Sequence, residues 1–297
     1  MSKIFETLDK GGAEIARLIK PLVEMPGEPA AGEKAEAPPP AAPIPIAVAG
    51  VTEFHLAQVR TVALHIPAPS PLLPFEDGQW HAGEQYRVLR TKIVQHPKQP
   101  RLIVISSPAP GDGKSVSAIN LAAALSLKSE ARVLLMDGDF RKSAIHVQLG
   151  LPETPGLADV LRGACAPEEA VVNARELSNL YVMSAGVAPA NPVELLDNSA
   201  WPALCSRLRG LFGYVIIDSP PVAAVADFDL IQAPCDGSIL VVRPDHTNRV
   251  LLRKSLEIVP KAKLLGVLLN CVPEWFLSKN SEATYYYHYA NRDGATR

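Results

Sequence analysis

The 297-residue sequence contains few cysteines, few aromatic residues and no long uncharged apolar stretch. Its four cysteines are scattered without a C-x-x-C pair, so the pattern excludes a zinc site or a disulfide framework and predicts reduced thiols. No apolar run approaches the roughly 20 residues that span a bilayer, and no charged and then apolar signal segment opens the chain. We therefore expect a soluble, cytoplasmic protein without a membrane span.

A large charge of either sign is also lacking. The formal net charge is −2 at pH 7. A chain with this balance has no global basic field to attract nucleic acid or anionic lipid, so we expect no nucleic-acid partner. The hydrophobic fraction of 47% is enough, in contrast, to fill the core of one large or two ordinary domains.

The chain ends differ in composition from its middle. Residues 1–20 place apolar side chains near one face of a helix, which predicts an amphipathic N-terminal helix. Residues 21–77 are rich in proline and alanine, so we predict a largely disordered linker there, with a short strand pair over 48–62 as the alternative. Residues 273–297 hold four of the seven tyrosines among polar neighbours, and we predict a flexible tail.

Between residues 78 and 272, short apolar runs alternate with helical stretches. The runs are "RLIVIS", "RVLLMD", "LYVMSA", "YVIIDSP", "SILVVR" and "LLGVLLN". Continuous apolar strands separated by helices indicate a parallel sheet that is covered on both faces. We therefore predict one doubly wound α/β domain with a mostly parallel sheet over 78–272.

The stretch "LIVISSPAPGDGKSVSAINL" has the order strand, glycine-bearing loop and helix. In such a loop the backbone N–H groups converge on phosphate oxygens, and the helix N-terminus adds partial positive charge. Lys114 then bridges the β- and γ-phosphates of a nucleotide and the Ser115 hydroxyl ligates Mg²⁺, as in P-loop NTPases. Pro108 departs from the G-x-x-x-x-G-K-[ST] pattern at its first position. The predicted nucleotide-binding residues of this loop are Gly111, Asp112, Gly113, Lys114, Ser115 and Val116.

Two of the apolar strands end in aspartates. Asp137 and Asp139 follow "VLLM", and Asp218 follows "YVII". Because ligands bind outside the carboxyl ends of parallel strands, these side chains and Ser115 form the predicted magnesium site. Arg243, at the end of another strand, either approaches the nucleotide base or lies in solvent.

Together, "SSPAPGDGKS", "VLLMDGDFRK" and "YVIIDSPP" resemble the Walker A, Walker A′ and Walker B motifs of the bacterial tyrosine kinases, the autokinases of capsule and exopolysaccharide synthesis. Ser143 replaces the proline that commonly follows the Asp-x-Asp-x-Arg motif of that family. "EQYRVLR" resembles the family's E-x-x-R-x-x-R assembly motif through Glu84, Arg87 and Arg90. "NPVELL" and the terminal tyrosine cluster are further matches, and the resemblance spans about residues 83 to 289.

The resemblance implies a kinase that uses ATP and Mg²⁺, with Lys114, Asp137 and Asp139 as catalytic residues. Asp137 would mainly ligate the metal and position the tyrosine, accepting its proton late, while Asp139 and Asp218 hold magnesium waters. The implied phosphoacceptors, in the tail of a neighbouring subunit, are Tyr285, Tyr286, Tyr287 and Tyr289.

The resemblance also implies partners. Subunits of the family assemble into a ring through the helix that carries Glu84, Arg87 and Arg90. A transmembrane chain-length-regulator protein of polysaccharide synthesis activates the kinase. It would recruit this chain to the inner face of the plasma membrane.

Two other functions stay open at this point. One is a catalytically weak nucleotide-binding regulator or scaffold of the polysaccharide machinery, which the sequence separates poorly from a kinase. The other is a partition-type ATPase switch, which shares the predicted sheet. Such ATPases carry a second lysine early in the loop, where this chain has Ala109, and they do not account for the terminal tyrosines.

Overall fold

The computed structural model describes residues 59–66, 70–72, 80–127, 131–224 and 226–272. The predicted helix over 1–20 lies outside the described residues. So does the predicted tail over 273–297, with its four candidate phosphoacceptor tyrosines.

The described part of the chain contains strands and helices in alternation. Its strands are β1 (Arg60–Val62), β2 (Leu102–Ser106), β3 (Val133–Asp137), β4 (Val171–Ala174), β5 (Leu180–Met183), β6 (Tyr214–Asp218), β7 (Gly237–Val242) and β8 (Leu264–Leu269). Its helices are α1 (Trp80–Val94), α2 (Lys114–Ser126), α3 (Ile145–Leu149), α4 (Leu157–Leu161), α5 (Pro167–Ala170), α6 (Pro192–Leu196), α7 (Ala200–Leu211), α8 (Asp227–Gln232) and α9 (Arg249–Ile258).

The strands form one eight-stranded sheet with the order β1-β4-β5-β3-β6-β2-β7-β8. All neighbouring pairs from β5 to β8 are parallel. At the other edge, β4 runs antiparallel to β5, and β1 runs parallel to β4. The prediction of a mostly parallel α/β sheet is therefore confirmed.

The two faces of strand β2 contribute to different hydrophobic cores. Leu102 and Val104 lie in one buried cluster with Trp201 of α7. Ile103 and Ile105 lie in a second cluster, which includes residues of α1 and α2. Because alternate residues of a strand point to opposite faces, helices cover both sides of the sheet, as the continuous apolar runs predicted.

Strand β1 lies inside the segment that the sequence predicts as a linker. Arg60 is the register partner of Val172, and the backbone N–H of His65 donates to the carbonyl of Leu149 at 2.9 Å. Further along, Leu72 is buried in the second core. The described parts of this segment are therefore docked on the domain. The sequence predicted a strand here only as the alternative to a linker, and did not predict the pairing with β4, because β1 is three residues long and mostly exposed.

No helix in the described ranges is long and apolar enough to cross a bilayer.

Candidate nucleotide-binding and catalytic site

The predicted phosphate loop lies between β2 and α2. Gly111 and Gly113 have φ angles of 88° and 95°, in the left-handed region that side chains disfavour. A Cβ atom at residue 113 would overlap the side-chain amide of Asn270. Both glycines are therefore required by the path of the loop, and α2 begins directly after it at Lys114.

Lys114 brings the ends of two neighbouring strands together. Its Nζ lies 2.8 Å from Asp139 Oδ2 and 3.3 Å from Asp218 Oδ2. The Ser115 hydroxyl donates a hydrogen bond to Asp218 Oδ2 at 2.5 Å. Asp139 follows β3 and Asp218 ends β6, so the structure places these predicted residues together at the carboxyl edge of the sheet. Their roles in binding and catalysis remain predictions.

Asp137 lies beside this group but has different contacts. Its Oδ1 accepts the backbone N–H of Asp139 at 3.1 Å, and its Oδ2 accepts those of Ala144 and Ile145 at 3.0 and 3.1 Å. The carboxyl group is completely buried. Asp139 and Asp218, rather than Asp137, therefore contact Lys114, while Asp137 holds the turn that leads into α3.

Burial is the main influence on the ionisable groups of this cluster. For Asp137, burial and the neighbouring Asp218 raise the pKa to about 7, against backbone hydrogen bonds that lower it. Burial also raises the pKa of Asp218, although Lys114 and Ser115 oppose the shift. Burial lowers the pKa of Lys114, but Asp218 and Asp139 outweigh it, so its pKa is raised. The lysine stays charged, and simultaneous ionisation of Asp137 and Asp218 is disfavoured unless a cation is added.

Asp112 faces the protein interior instead of the phosphate side of the loop. Its Oδ2 accepts the backbone N–H of Ala109 at 2.9 Å. Its Oδ1 lies 2.8 Å from the Thr247 hydroxyl and 3.0 Å from His246 Nδ1. The amide of Asn270 donates to the Asp112 carbonyl at 3.0 Å. We call these five residues the Asp112 cluster. The members after β7 and β8 were not predicted from the sequence, because only the strand order β2-β7-β8 brings the ends of these strands to the loop.

The remaining predicted nucleotide-site residues lie at the margin of the site. Arg243 has an exposed side chain at the end of β7, and its backbone N–H donates to the Thr247 hydroxyl at 2.8 Å. Val116 is half-buried on α2 and packs against the second core. Pro108 is buried in the loop, and the Ser143 hydroxyl lies 3.3 Å from His146 Nδ1.

A second ion pair near the site was also missed. Arg141 forms two hydrogen bonds to the buried carboxylate of Asp227, at 2.8 and 3.0 Å. Arg141 follows the aspartates after β3, and Asp227 begins α8 after β6. The pair therefore ties together the two chain segments that carry Asp139 and Asp218.

The predicted assembly residues lie on α1. Glu84 and Arg87 form an ion pair with each other at 3.1 Å and stay partly exposed. Arg90 instead reaches across to α2, where it donates to the carbonyl of Ala124 at 3.2 Å. The helix is thus docked on the phosphate-loop helix through one of its three predicted assembly residues.

The class of protein follows from the fold and the loop together with a family match. Over residues 98–294 the chain matches the family model described as ParA: NUBPL iron-transfer P-loop NTPase. The protein is therefore a P-loop NTPase, a class of nucleotide-binding proteins.

Individual relatives define the family within that class. The chain is 37% identical over 208 residues to tyrosine-protein kinase YwqD of Bacillus subtilis, which covers 69% of this chain and 86% of YwqD. It is 32% identical over 215 residues to tyrosine-protein kinase CpsD of Streptococcus agalactiae, covering 71% and 90%. A match to tyrosine-protein kinase ptk of Acinetobacter johnsonii, at 35% identity, covers 67% of this chain but 28% of that protein.

Solved structures agree with these relatives. The chimerical protein CapA2B2 superimposes with a TM-score of 0.65 at 32% identity, covering 72% of this chain and 94% of that chain. The BceF tyrosine kinase domain superimposes with a TM-score of 0.59 at 34% identity, covering 65% and 78%. The chain belongs to the bacterial tyrosine-protein kinase family, and the resemblance predicted from its motifs is confirmed.

Proposed function

We propose that this protein is an ATP-dependent protein-tyrosine autokinase that regulates the synthesis and export of exopolysaccharide or capsule. Its substrates are the tyrosines at the C-terminus of neighbouring copies, Tyr285, Tyr286, Tyr287 and Tyr289. The observation that carries the proposal is the convergence of Lys114, Ser115, Asp139 and Asp218 at one edge of the sheet. Membership of the tyrosine-kinase family supports the class of reaction.

The phosphate loop fits a nucleoside triphosphate. Two left-handed glycines leave room for the backbone to approach phosphate oxygens closely. The 13-residue helix α2 starts at the loop, so its partial positive charge and the Lys114 ammonium both favour bound anions. We infer that ATP is the phosphoryl donor.

The acidic residues fit Mg²⁺. Three buried aspartates, Asp137, Asp139 and Asp218, lie around one partly buried lysine, Lys114, so the site carries an excess of negative charge. The described residues contain no group of three or more His, Cys, Asp or Glu side chains arranged to hold a metal by themselves. Mg²⁺ suits such a site because it uses few protein ligands and completes its shell with waters and substrate phosphates. Ser115 and Asp137 would ligate it, Asp139 and Asp218 would hold its waters, and when bound it would supply charge stabilisation at the phosphate oxygens.

The protein's own groups have distinct roles in this mechanism. Lys114, held by two carboxylates, supplies fixed positive charge to the transferring phosphoryl group. Asp137 positions the attacking tyrosine and accepts its proton late. In the metal-free site, burial raises the pKa of this carboxyl group to about 7, so protonation of Asp137 is less unfavourable there than for an exposed aspartate.

We further propose that the kinase works as a homo-oligomeric ring at the inner face of the plasma membrane, recruited and activated by a transmembrane chain-length-regulator protein. The partly exposed Glu84 and Arg87 on α1 are the surface we assign to ring contacts. The solved relative CapA2B2 is a chimerical protein, which is consistent with a kinase domain that acts together with a second polypeptide.

Mass spectrometry of purified protein tests this function. Full-length protein is incubated with Mg-ATP, with and without the cytosolic peptide of a candidate activator, and phosphosites are mapped. We expect phosphate on the C-terminal tyrosines. ATP hydrolysis without phosphotyrosine would favour a partition-type switch, and nucleotide binding with neither reaction would favour a scaffold.

A further inference from the structure

The side chain of Asp112 is a buried charged group with an unusually complete set of partners. Its carboxylate is fully buried and accepts hydrogen bonds from the backbone of Ala109 and from Thr247, with His246 at hydrogen-bond distance. The Thr247 hydroxyl donates to Oδ1, the same carboxylate oxygen that lies 3.0 Å from His246 Nδ1. Buried carboxylates are stable only when they are satisfied in this way.

Thr247 connects the phosphate loop to the segment after β7. Its hydroxyl donates to Asp112 and accepts the backbone N–H of Arg243 at 2.8 Å, which closes the turn over 243–247. The Thr247 side chain is buried, whereas His246 remains 44% exposed. The connection therefore depends mainly on the threonine, with the histidine ring covering Gly111 from outside.

Asn270 contacts the same loop from the end of β8. Its amide donates to the Asp112 carbonyl and lies where a side chain on Gly113 would be. The two glycines that shape the loop are thus each in contact with a member of the Asp112 cluster. Glycine loses more conformational freedom than other residues when it is ordered, so a loop of this composition depends on outside contacts to hold one conformation.

We propose that Thr247, acting through Asp112, is a positioning residue that holds the phosphate loop in its phosphate-binding conformation. Asp112 contributes to nucleotide binding through its backbone, and its carboxylate fastens the loop to the strand ends beside it. This inference rests on the proposed nucleotide-dependent function. It predicts that loss of the Thr247 hydroxyl weakens nucleotide binding without changing any group that faces the phosphates.

The test compares two substitutions at Thr247 that differ in the hydroxyl. Thr247→Val keeps the shape of the side chain and removes the hydroxyl, whereas Thr247→Ser keeps the hydroxyl. Ser126→Ala is the matched control, because it removes a buried hydroxyl at the far end of the same helix α2, where Ser126 donates to the Ala123 carbonyl. Calorimetry measures the Kd of Mg-ADP, and initial rates of autophosphorylation give KM for ATP and kcat.

We expect Thr247→Val to raise the Kd of Mg-ADP and KM for ATP about tenfold, equivalent to about 1.4 kcal/mol. The kcat should stay within about twofold, because the loop contacts substrate in the ground state and the transition state alike. Thr247→Ser and Ser126→Ala should leave both constants near wild type. Unchanged constants in Thr247→Val, or equal losses in Thr247→Ser, would overturn the proposal.

Asp112→Asn provides a second measurement. It preserves the size of the side chain but replaces one accepting oxygen with a donor, so we expect at least the same rise in Kd. Adding Thr247→Val to Asp112→Asn should then cost little more, because both changes remove one interaction. Full additivity would count against the connection. If wild-type protein fails to bind Mg-ADP, the proposed nucleotide-dependent function is wrong as well. If wild-type protein binds Mg-ADP and Thr247→Val binds it equally tightly, only the positioning role of Thr247 is wrong.

Discussion

Asp137 and Asp218 lie directly opposite each other in register on the neighbouring parallel strands β3 and β6. Both side chains are fully buried at the same edge of the sheet. Burial disfavours the charge of each carboxylate and raises the pKa of both, and the charge of Asp218 adds to the rise at Asp137 while that of Asp139 adds to the rise at Asp218. A nearby positive charge stabilises the ionised form of this pair, and Lys114 supplies one such charge next to Asp218.

This relationship predicts how stability depends on pH. A pKa raised from 3.8 to about 7 for Asp137 means that the folded state binds more protons than the unfolded state between these values. The contribution of Asp137 to the free energy of unfolding is therefore fully present below about pH 4. It is lost as pH rises towards 7, by up to about 1.4 kcal/mol per pH unit. Urea unfolding in buffer without metal or nucleotide, at pH 5, 6 and 7, measures the slope.

Asp137→Asn is the matched variant for this slope. Its side chain does not titrate, so the free energy of unfolding should change less between pH 5 and pH 7 than in the wild type. An identical slope in both proteins would show that other groups cause the dependence.

Loss of Lys114 should abolish most phosphoryl transfer. We expect Lys114→Met to lower autophosphorylation by at least about 10²-fold, which corresponds to about 2.7 kcal/mol of transition-state stabilisation. Phosphotyrosine formation at saturating Mg-ATP measures the effect. Lys254→Met, which removes an exposed lysine on α9, is the control and should retain wild-type rates. Wild-type phosphotyrosine levels in purified Lys114→Met would remove Lys114 from the mechanism.

Breaking the Arg141–Asp227 pair should destabilise the fold near the site. Arg141→Ala leaves the buried Asp227 carboxylate without its two charged hydrogen bonds, so we expect a loss of roughly 1.5–3 kcal/mol in the free energy of unfolding. Asp227→Asn removes the charge that needs a partner. A double-mutant cycle by urea unfolding should therefore show coupling, and strictly additive losses would exclude a direct interaction between the two side chains.

Phosphorylation of the tail should loosen the proposed ring. Each phosphotyrosine adds about −1.5 to −2 charges, so four on one tail bring about −6 to −8 at neutral pH. Repulsion between neighbouring tails and acidic sites then opposes assembly. Light scattering of phosphorylated protein and of a variant with all four tail tyrosines changed to phenylalanine measures this. Equal masses at every concentration would contradict the expectation.

The amino-acid sequence alone determined the sheet strands from β2 to β8 apart from β4, and the position of the phosphate loop. Each of these strands is an apolar run that is visible within a few residues; β2, β3 and β7 are buried at every position, whereas β5, β6 and β8 are partly exposed. The loop is equally local, because Gly113, Lys114 and Ser115 are consecutive. Resemblance of three motifs in order was enough to predict the family.

Only the tertiary structure decided which of these local features meet. Strands β1 and β4 are short and pair at the sheet edge, so their formation depends on partners far away in the chain. The helical stretch after β5 holds two helices, α6 and α7, and Asn191 caps the first of them by accepting the backbone N–H of Glu194.

The contacts within the site also join residues that lie far apart in the chain. Asp112 meets Thr247 across 135 positions, and Lys114 meets Asp218 across 104. No spacing rule links residues so distant, so the sequence did not predict which of the three aspartates contacts Lys114. The folded chain distinguishes them, because strand order places Asp139 and Asp218 against the lysine and turns Asp137 towards the backbone of α3.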